Sequence, residues 1–532
     1  MQRRTFIGGG AAVAVTAASA ACSDEGSGPR SATGTRASGA QTDPGAGTAT
    51  TSTSTTTTTA KGTAAADWRA LAKDLDGPLV RPGDADWAAA HQLYNTRFDA
   101  LKPTAVAYAA HSDDIRAALS YARAHDIRVS IRNGGHSYAG WSSGDGRLIV
   151  DVSKLSKVRA SGDEAVVGAG AKLIDVYRGL AAKGVTVPAG SCPTVGISGL
   201  TLGGGHGVVS RAYGLTCDSL TQATLITADG KQLTASATEN KDLFWALRGA
   251  GNGNFGVVTE LRFKTHPAPQ GVTANMSWPW SRAAAVIKAW QEWGPDQPDE
   301  IWSSLHLANS AGGTPTVSVA AFSLGTYGEL QNAVDRLADR IGASARSVSL
   351  KRRSYQESME VYAGCSTFPT DAQCHLPGGT PGRSARGALG RETYAGRSDF
   401  YDRSISAAGI QTLLARISGV RGGTGSIALT ALGGAINRVD PTATAFVHRR
   451  SRMLAQYIAA WRPGTSGSAS QSWLAQAHTS MRPHASGAAY QNYTDPTLTN
   501  WRKAYYGSAA PHLKSLKSKY DPKDFFKDPQ SL

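Results

Sequence analysis

The sequence predicts an α+β protein built in two main parts, and three observations carry that reading. Strand and helix patterns alternate from Trp68 onward, glycine clusters punctuate this first part, and after about residue 270 the texture changes to longer helices with strands between them. Thr104 to Ala109 reads as a strand, and Asp113 to His125 as a helix with apolar residues near helical spacing. Ile127 to Ile131 is a second strand that runs into a glycine motif. Leu148 to Val152 and Glu164 to Gly168 continue the strand pattern, and Leu173 to Lys183 is helical. Strand, helix and strand in that order make an α/β unit. Asp242 to Arg248 is helical and leads through a glycine cluster, Gly249 to Gly256, into another strand. In the second part Ala283 to Trp293 and Tyr327 to Ile341 read as helices, with the strand Thr316 to Phe322 between them. The boundaries expected are 67–270, 271–480 and 481–532, and no internal repeat of fixed period is present.

Length and composition allow this. A chain of 532 residues that is 41% hydrophobic, with 12 Trp and 17 Tyr, can fill sizeable cores. The formal net charge of +15 invites a nucleic-acid reading, but the basic residues are spread along the chain with no dense Lys/Arg stripe, so no nucleic-acid partner is expected. The first 22 residues read as a targeting segment. Twin arginines, Arg3 and Arg4, precede an apolar run to Ala21 that is too short to span a bilayer comfortably. The protein is therefore expected outside the cell or tethered to the outer face of its membrane. Cys22 has two readings: lipid attachment, since Ser19-Ala20-Ala21-Cys22 resembles a lipobox without its leucine, or release by cleavage after Ala18-Ser19-Ala20. Residues 23–66 are rich in Ser, Thr, Gly and Ala and read as a flexible tether. Of five cysteines, Cys365 and Cys374 lie nine apart in a loop-like stretch and are expected to form a disulfide. A metal site there would need more ligands than His375, so no metal is expected. Cys217 reads as a buried, inert thiol, and a monomer is expected.

Two reactive side chains each sit inside a glycine-rich segment. His136 lies in Arg132-Asn133-Gly134-Gly135-His136-Ser137, and Cys192 opens a run that continues through Gly196, Ser198 and Gly199 to Gly203-Gly204-Gly205-His206-Gly207. Imidazole and thiolate are well suited to bond covalently to an electron-poor cofactor ring, and glycines let a backbone approach a phosphate closely. The three glycine clusters offer backbone N–H groups for anion binding. None fits a dinucleotide fingerprint, since Gly168-Ala169-Gly170 lacks the third glycine, and a nicotinamide-binding Rossmann domain is not expected.

Arg132 to Ser137, Cys192 to Gly207, Tyr213 to Leu220, Leu243 to Thr259, Tyr490 to Asp495 and Tyr520-Asp521-Pro522, in this order, resemble the berberine-bridge-enzyme-like flavoproteins of the vanillyl-alcohol-oxidase superfamily. The resemblance runs from about residue 100 to the C-terminus. It implies a two-subdomain FAD-binding module of the PCMH type and a substrate domain with an antiparallel sheet covered by helices, the C-terminal segment returning to the FAD module. It implies FAD held bicovalently, through His136 to the flavin 8α-methyl carbon and through Cys192 to ring carbon 6. The cofactor-binding set carried over is Arg132, Asn133, Gly134, Gly135, Ser137, Gly196, Ser198, Gly199, Gly205, Val258 and Asn492. Two links raise the flavin's reduction potential and favour hydride acceptance. A cofactor acquired in the cytoplasm also suits twin-arginine export, which carries folded proteins.

On the substrate side, the family's Tyr-x-Asn-Tyr segment is Tyr490-Gln491-Asn492-Tyr493, and Tyr493 resembles the catalytic base. Read as a strand, the segment puts Tyr490 and Asn492 on one face and Gln491 and Tyr493 on the other. A phenol titrates near pH 10, so Tyr493 needs a nearby cation or the oxidised flavin to act near neutrality. Arg438 aligns with a position where alkaloid-forming plant members resemble one another in having a glutamate. Arginine is no base, so alkaloid ring closure is not expected, and Arg438 either lowers the Tyr493 pKa or is a structural arginine. His206 stands where several oxidases of sugars or natural products have tyrosine, and either binds substrate or assists the base. Val195 matches a small gatekeeper that accompanies oxygen access. The resemblance thus implies an oxidase of alcohol or hemiacetal carbons, with a small-molecule substrate such as an oligosaccharide or a secondary-metabolite alcohol, and O2 as acceptor. The alternatives are a dehydrogenase that uses a quinone or other acceptor, and a non-catalytic flavin-bearing surface protein.

Overall fold

The computed structural model describes residues 67–251 and 253–532; the expected export segment at 1–22, Cys22 and the tether at 23–66 lie outside the described residues. Three larger sheets organise the described residues. In the first, Ala105–Tyr108, Leu148–Asp151 and Val129–Arg132 run parallel in that spatial order, and Leu79–Val80 pairs antiparallel on the outer edge. The helix Ser112–Ala124 connects two of these strands. Its buried residues Ile115, Ala118, Leu119 and Ala122 recur at three- and four-residue steps, so one apolar stripe faces the sheet. The second sheet is antiparallel and five-stranded: Val158–Ser161, Glu164–Gly168, Val257–Lys264, Leu220–Ile226 and Gln232–Ser236.

The third sheet is antiparallel with seven strands in the order Ser347–Arg353, Gly271–Trp278, Thr316–Ser323, Ile301–Ser310, Thr424–Ala431, Met453–Ala460 and Tyr394–Tyr401. Its strands alternate with period two, and the two faces do different jobs. Leu305, Leu307, Val317, Val319, Ile427, Leu429, Ala455 and Tyr457 point to one side and form a core with the helices Ala283–Trp293, Tyr327–Ile341, Ala407–Ser418 and Ser468–Met481. The helix Tyr327–Ile341 shows why the sequence reads clearly here: a Thr326/Glu329 capping box starts it and Gly342, at φ 69°, stops it. The opposite face of the sheet carries Trp302, Ser304, His306, Ala428, Thr430 and Gln456, and looks into a cavity.

The C-terminal helices Trp501–Tyr506 and Ala510–Tyr520 return to the first half, where Tyr505, Tyr506, Leu513, Leu516 and Phe526 join its core. The Lys517 ammonium donates to the carbonyls of Asn254 (3.0 Å) and Phe526 (2.8 Å) and to the Asp521 carboxylate (2.7 Å). Cys365 and Cys374 form a disulfide with Cα atoms 5.6 Å apart, and Cys217 is a buried thiol whose pKa burial raises.

Candidate active site

One cavity of about 310 Å³ runs from the inner face of the seven-stranded sheet to the edge of the parallel sheet, and both reactive motifs open into it. Of the residues singled out in the sequence, Asn133, Gly134, Gly135, His136, Ser137, Cys192, Gly196, Ser198, Gly199, His206, Val258, Asn492 and Tyr493 line its wall. Arg132, Gly205 and Arg438 do not.

The two glycine motifs touch each other, which explains their composition. A Cβ on Gly134 would lie 2.4 Å from the Thr194 carbonyl oxygen and 2.6 Å from the Gly196 nitrogen, and one on Gly196 would lie 2.1 Å from the Asn133 side chain. Asn133 ties the approach together: its amide donates to the Ala169 carbonyl and to Ser198 Oγ (3.3 Å), and its Oδ1 accepts from Lys172 Nζ (2.6 Å). Lys172 also donates to Ser153 Oγ (2.9 Å), and burial lowers its pKa to about 8. The sequence reading passed over Lys172; its one signal was a cation inside the apolar run Ala169 to Ile174.

His136 stacks on Tyr94 (ring centroids 4.0 Å apart) with Nε2 2.8 Å from Thr194 Oγ1. Burial, helped by the Lys172 charge, lowers its pKa to about 3, so the imidazole is neutral and nucleophilic. Arg132 ends the strand Val129–Arg132 and lies behind the wall. It is buried, ion-paired with Asp151 at 2.5 Å and hydrogen-bonded to the Tyr108 hydroxyl at 3.3 Å, so it braces the parallel sheet. Gly205 sits at φ 82°, and its N–H donates to the Tyr490 hydroxyl at 2.8 Å. Its contact is therefore with the C-terminal tyrosine.

The Tyr490 to Tyr493 segment is not the strand expected. Gln491–Tyr493 is a 3₁₀ turn, closed by the Tyr493 N–H donating to the Tyr490 carbonyl at 2.9 Å, so the two rings come together edge to face with centroids 5.0 Å apart. Their hydroxyls make different hydrogen bonds. The Tyr490 hydroxyl takes the Gly205 N–H and the Asn492 amide (2.8 Å), whereas the Tyr493 hydroxyl meets His206 Nε2 at 2.9 Å. Tyr493 also stacks face to face on Tyr138 (5.1 Å, 17°), whose own hydroxyl accepts from the Gln456 amide at 2.5 Å. Burial raises the Tyr493 pKa and lowers that of His206 to about 4, so both rest neutral. His206 Nδ1 is buried with no hydrogen-bond partner.

Arg438 is placed elsewhere. Its side chain is 64% exposed and pairs with Asp299 at 2.6 Å, so it is a surface ion pair and does not face Tyr493. Lys527 and Asp528 are the only Lys, Arg, Asp or Glu side chains lining the cavity among the described residues. Asp528 is held at 2.6 Å by Arg147, which also donates to Ser130 Oγ, so both belong to the end beside the parallel sheet. The reacting end therefore holds no cation of the protein's own.

A cavity walled by glycine motifs, with no room for a Cβ at Gly134 or Gly196 and a neutral histidine at one side, fits a flavin dinucleotide. Comparison with known proteins agrees. Residues 103–236 match the FAD binding domain family and residues 489–532 the berberine and berberine-like family. The chain is 31% identical over 464 residues to the uncharacterized FAD-linked oxidoreductase YgaK of Bacillus subtilis, covering 86% of this chain and 97% of that one. It is 29% identical over 479 residues to a chitooligosaccharide oxidase of Gibberella zeae, covering 86% and 92%. Among solved structures, Physcomitrella patens BBE-like 1 superposes with a TM-score of 0.79 at 30% identity, over 87% of this chain and 98% of that one. The chain belongs to the berberine-bridge-enzyme-like FAD-linked oxidoreductases of the vanillyl-alcohol-oxidase superfamily.

Proposed function

We propose that this protein is an exported oxidase that removes a hydride from an alcohol or hemiacetal carbon of a carbohydrate or secondary-metabolite alcohol. The observation that carries the reading is the Tyr493–His206 pair, 2.9 Å apart in the wall of the cavity that His136 and Cys192 also line. His136 and Cys192 would hold the flavin covalently, and Asn133 to Ser137 with Gly196 to Gly199 would cradle its pyrophosphate. Bound FAD would supply the hydride acceptor and, reoxidised by O2, would release hydrogen peroxide. Tyr493 accepts the proton of the substrate hydroxyl while its own proton passes to His206 Nε2, which is free to take it because the imidazole is neutral. Tyr138, fixed by Gln456, holds the phenol ring in line. The twin arginines support export, and the chitooligosaccharide oxidase relative supports a carbohydrate substrate.

A peroxide-coupled screen of sugars and secondary-metabolite alcohols tests the activity, with stopped-flow reoxidation of the reduced protein as its companion. Slow reoxidation by O2 would sink the oxidase reading. For the double attachment, His136→Ala and Cys192→Ala should each keep flavin on the denatured chain through the remaining link. Complete release from both single variants would defeat it.

A further inference from the structure

His306 stands out once the site is assembled, because the mechanism does not use it. It lines the cavity from the strand Ile301–Ser310, on the same face as Trp302 and Ser304. Among the described residues it makes no hydrogen bond, ion pair or ring contact. The ring is half-buried, and its donor and acceptor face the cavity rather than another side chain. Burial lowers its pKa to about 4, so it presents both functions as a neutral ring.

Sheet register fixes where it stands. His306 is opposite Ala428 on the next strand, and Ala428 is opposite Gln456 on the one beyond. Residues directly opposite in a sheet point to the same side, and all three line the cavity. Two strand spacings separate the His306 and Gln456 backbones by about 9.6 Å. The methyl of Ala428 is the only side chain on that rung between them, so a slot opens with His306 on one wall. The other wall is Gln456, which holds Tyr138, on which Tyr493 stacks. With only a methyl between the two flanking side chains, this slot is open to a small saturated ring.

We infer that His306 is a specificity-determining residue that hydrogen-bonds a hydroxyl across the ring from the reacting carbon of a pyranose lying in this slot. The inference rests on the reading that Tyr493 marks the reacting end. A ring seated with its reacting carbon at Tyr493 turns its C3 and C4 hydroxyls toward the opposite wall. Ala428 supplies the apolar floor on which a C–H face can lie.

The test uses the flavin-loaded protein and 1,5-anhydro-D-glucitol, a pyranose without the anomeric hydroxyl, with binding read from perturbation of the flavin absorbance. His306→Ala should weaken binding five- to tenfold, while His306→Gln, which keeps a donor and an acceptor, should stay within threefold of the parent. Either the 3-deoxy or the 4-deoxy analogue should bind parent and His306→Ala equally, a result that a merely structural histidine does not produce. Melting temperature should fall little in His306→Ala, since no hydrogen bond or ion pair is lost. Unchanged binding in His306→Ala, a persisting difference with both deoxy analogues, or failure of 1,5-anhydro-D-glucitol to perturb the parent flavin would each overturn the assignment. Peroxide production from acyclic alcohols alongside that failure would leave the oxidase reading standing. His306-dependent binding without peroxide from any sugar would do the reverse.

Discussion

Replacing Tyr493 with Phe removes one oxygen atom and tests the centre of the mechanism. The ring stays, so its stacking on Tyr138 at 5.1 Å is kept, but the 2.9 Å contact to His206 Nε2 is lost. The ordinary phenol value of 10.0, which burial raises further, and the His206 value of about 4 differ by about six units or more. Ground-state transfer of the proton between them is therefore uphill, by about 8 kcal/mol before the attraction of the resulting ion pair offsets part of it, and the pair rests neutral. The transfer is feasible only while the substrate hydroxyl is giving up its own proton, so the two residues act as one unit. Loss of a positioned base costs about 10²- to 10⁴-fold in kcat, and Tyr493→Phe should fall in that range. His206→Asn should cost about ten- to a hundredfold. Because the second residue works through the first, the double variant should lie within about threefold of Tyr493→Phe alone. Initial rates of peroxide formation under saturating substrate measure all three. Multiplication of the two single effects in the double variant would refute the coupling, and a Tyr493→Phe rate within threefold of the parent would refute the base itself.

Other substitutions follow from the same geometry. Gly134→Ala must push the two glycine motifs apart, because its Cβ would lie 2.4 Å from the Thr194 carbonyl oxygen; flavin content per chain should drop well below half, as read from absorbance of the purified protein. Arg438→Ala removes only an exposed ion pair with Asp299, so kcat should stay within twofold and stability within about 0.5 kcal/mol of the parent. Burial lowers the pKa values of His206, His306 and His448 to about 4 from 6.5. Between pH 6.5 and 4 the unfolded chain binds protons that the folded one does not, so stability present above pH 6.5 should be lost as the pH falls. Urea unfolding at pH 7 and pH 5 should show this, with a slope of up to about 4 kcal/mol per pH unit for three protons.

The cofactor end of the site was legible in the sequence because its chemistry is local. Glycines that must touch, a histidine and a cysteine lie within short runs, and 13 of the 16 singled-out site residues line the cavity. The misses have physical reasons. Arg132 opens its motif in sequence, but its place on the last residue of a strand turns it to Asp151 behind the wall. Tyr490 to Tyr493 carries the aromatic texture of a strand, yet the segment closes a turn that Thr494 helps to hold, its Oγ1 donating to the Gln491 carbonyl at 2.7 Å. The substrate wall was hidden for another reason. His306, Ala428 and Gln456 are brought together by strand register across more than 100 residues of chain, and alternation reveals a strand without revealing its neighbours. Lys172 was invisible because a buried cation in an apolar run looks like an accident until its three acceptors converge on it.

The wall formed by Phe526, Lys527 and Asp528 has a consequence for how the holoprotein comes into being. These residues close the cavity beside Val129 to Ile131, yet they follow the His136 motif by roughly 390 residues. At about 5–20 residues per second, synthesis brings them out some 20–80 seconds after that motif. Until they emerge, His136 and Cys192 stand at a pocket that still lacks this wall. Flavin capture is thus a late event in the life of each molecule, and truncated chains stalled before residue 526 should emerge from the ribosome colourless.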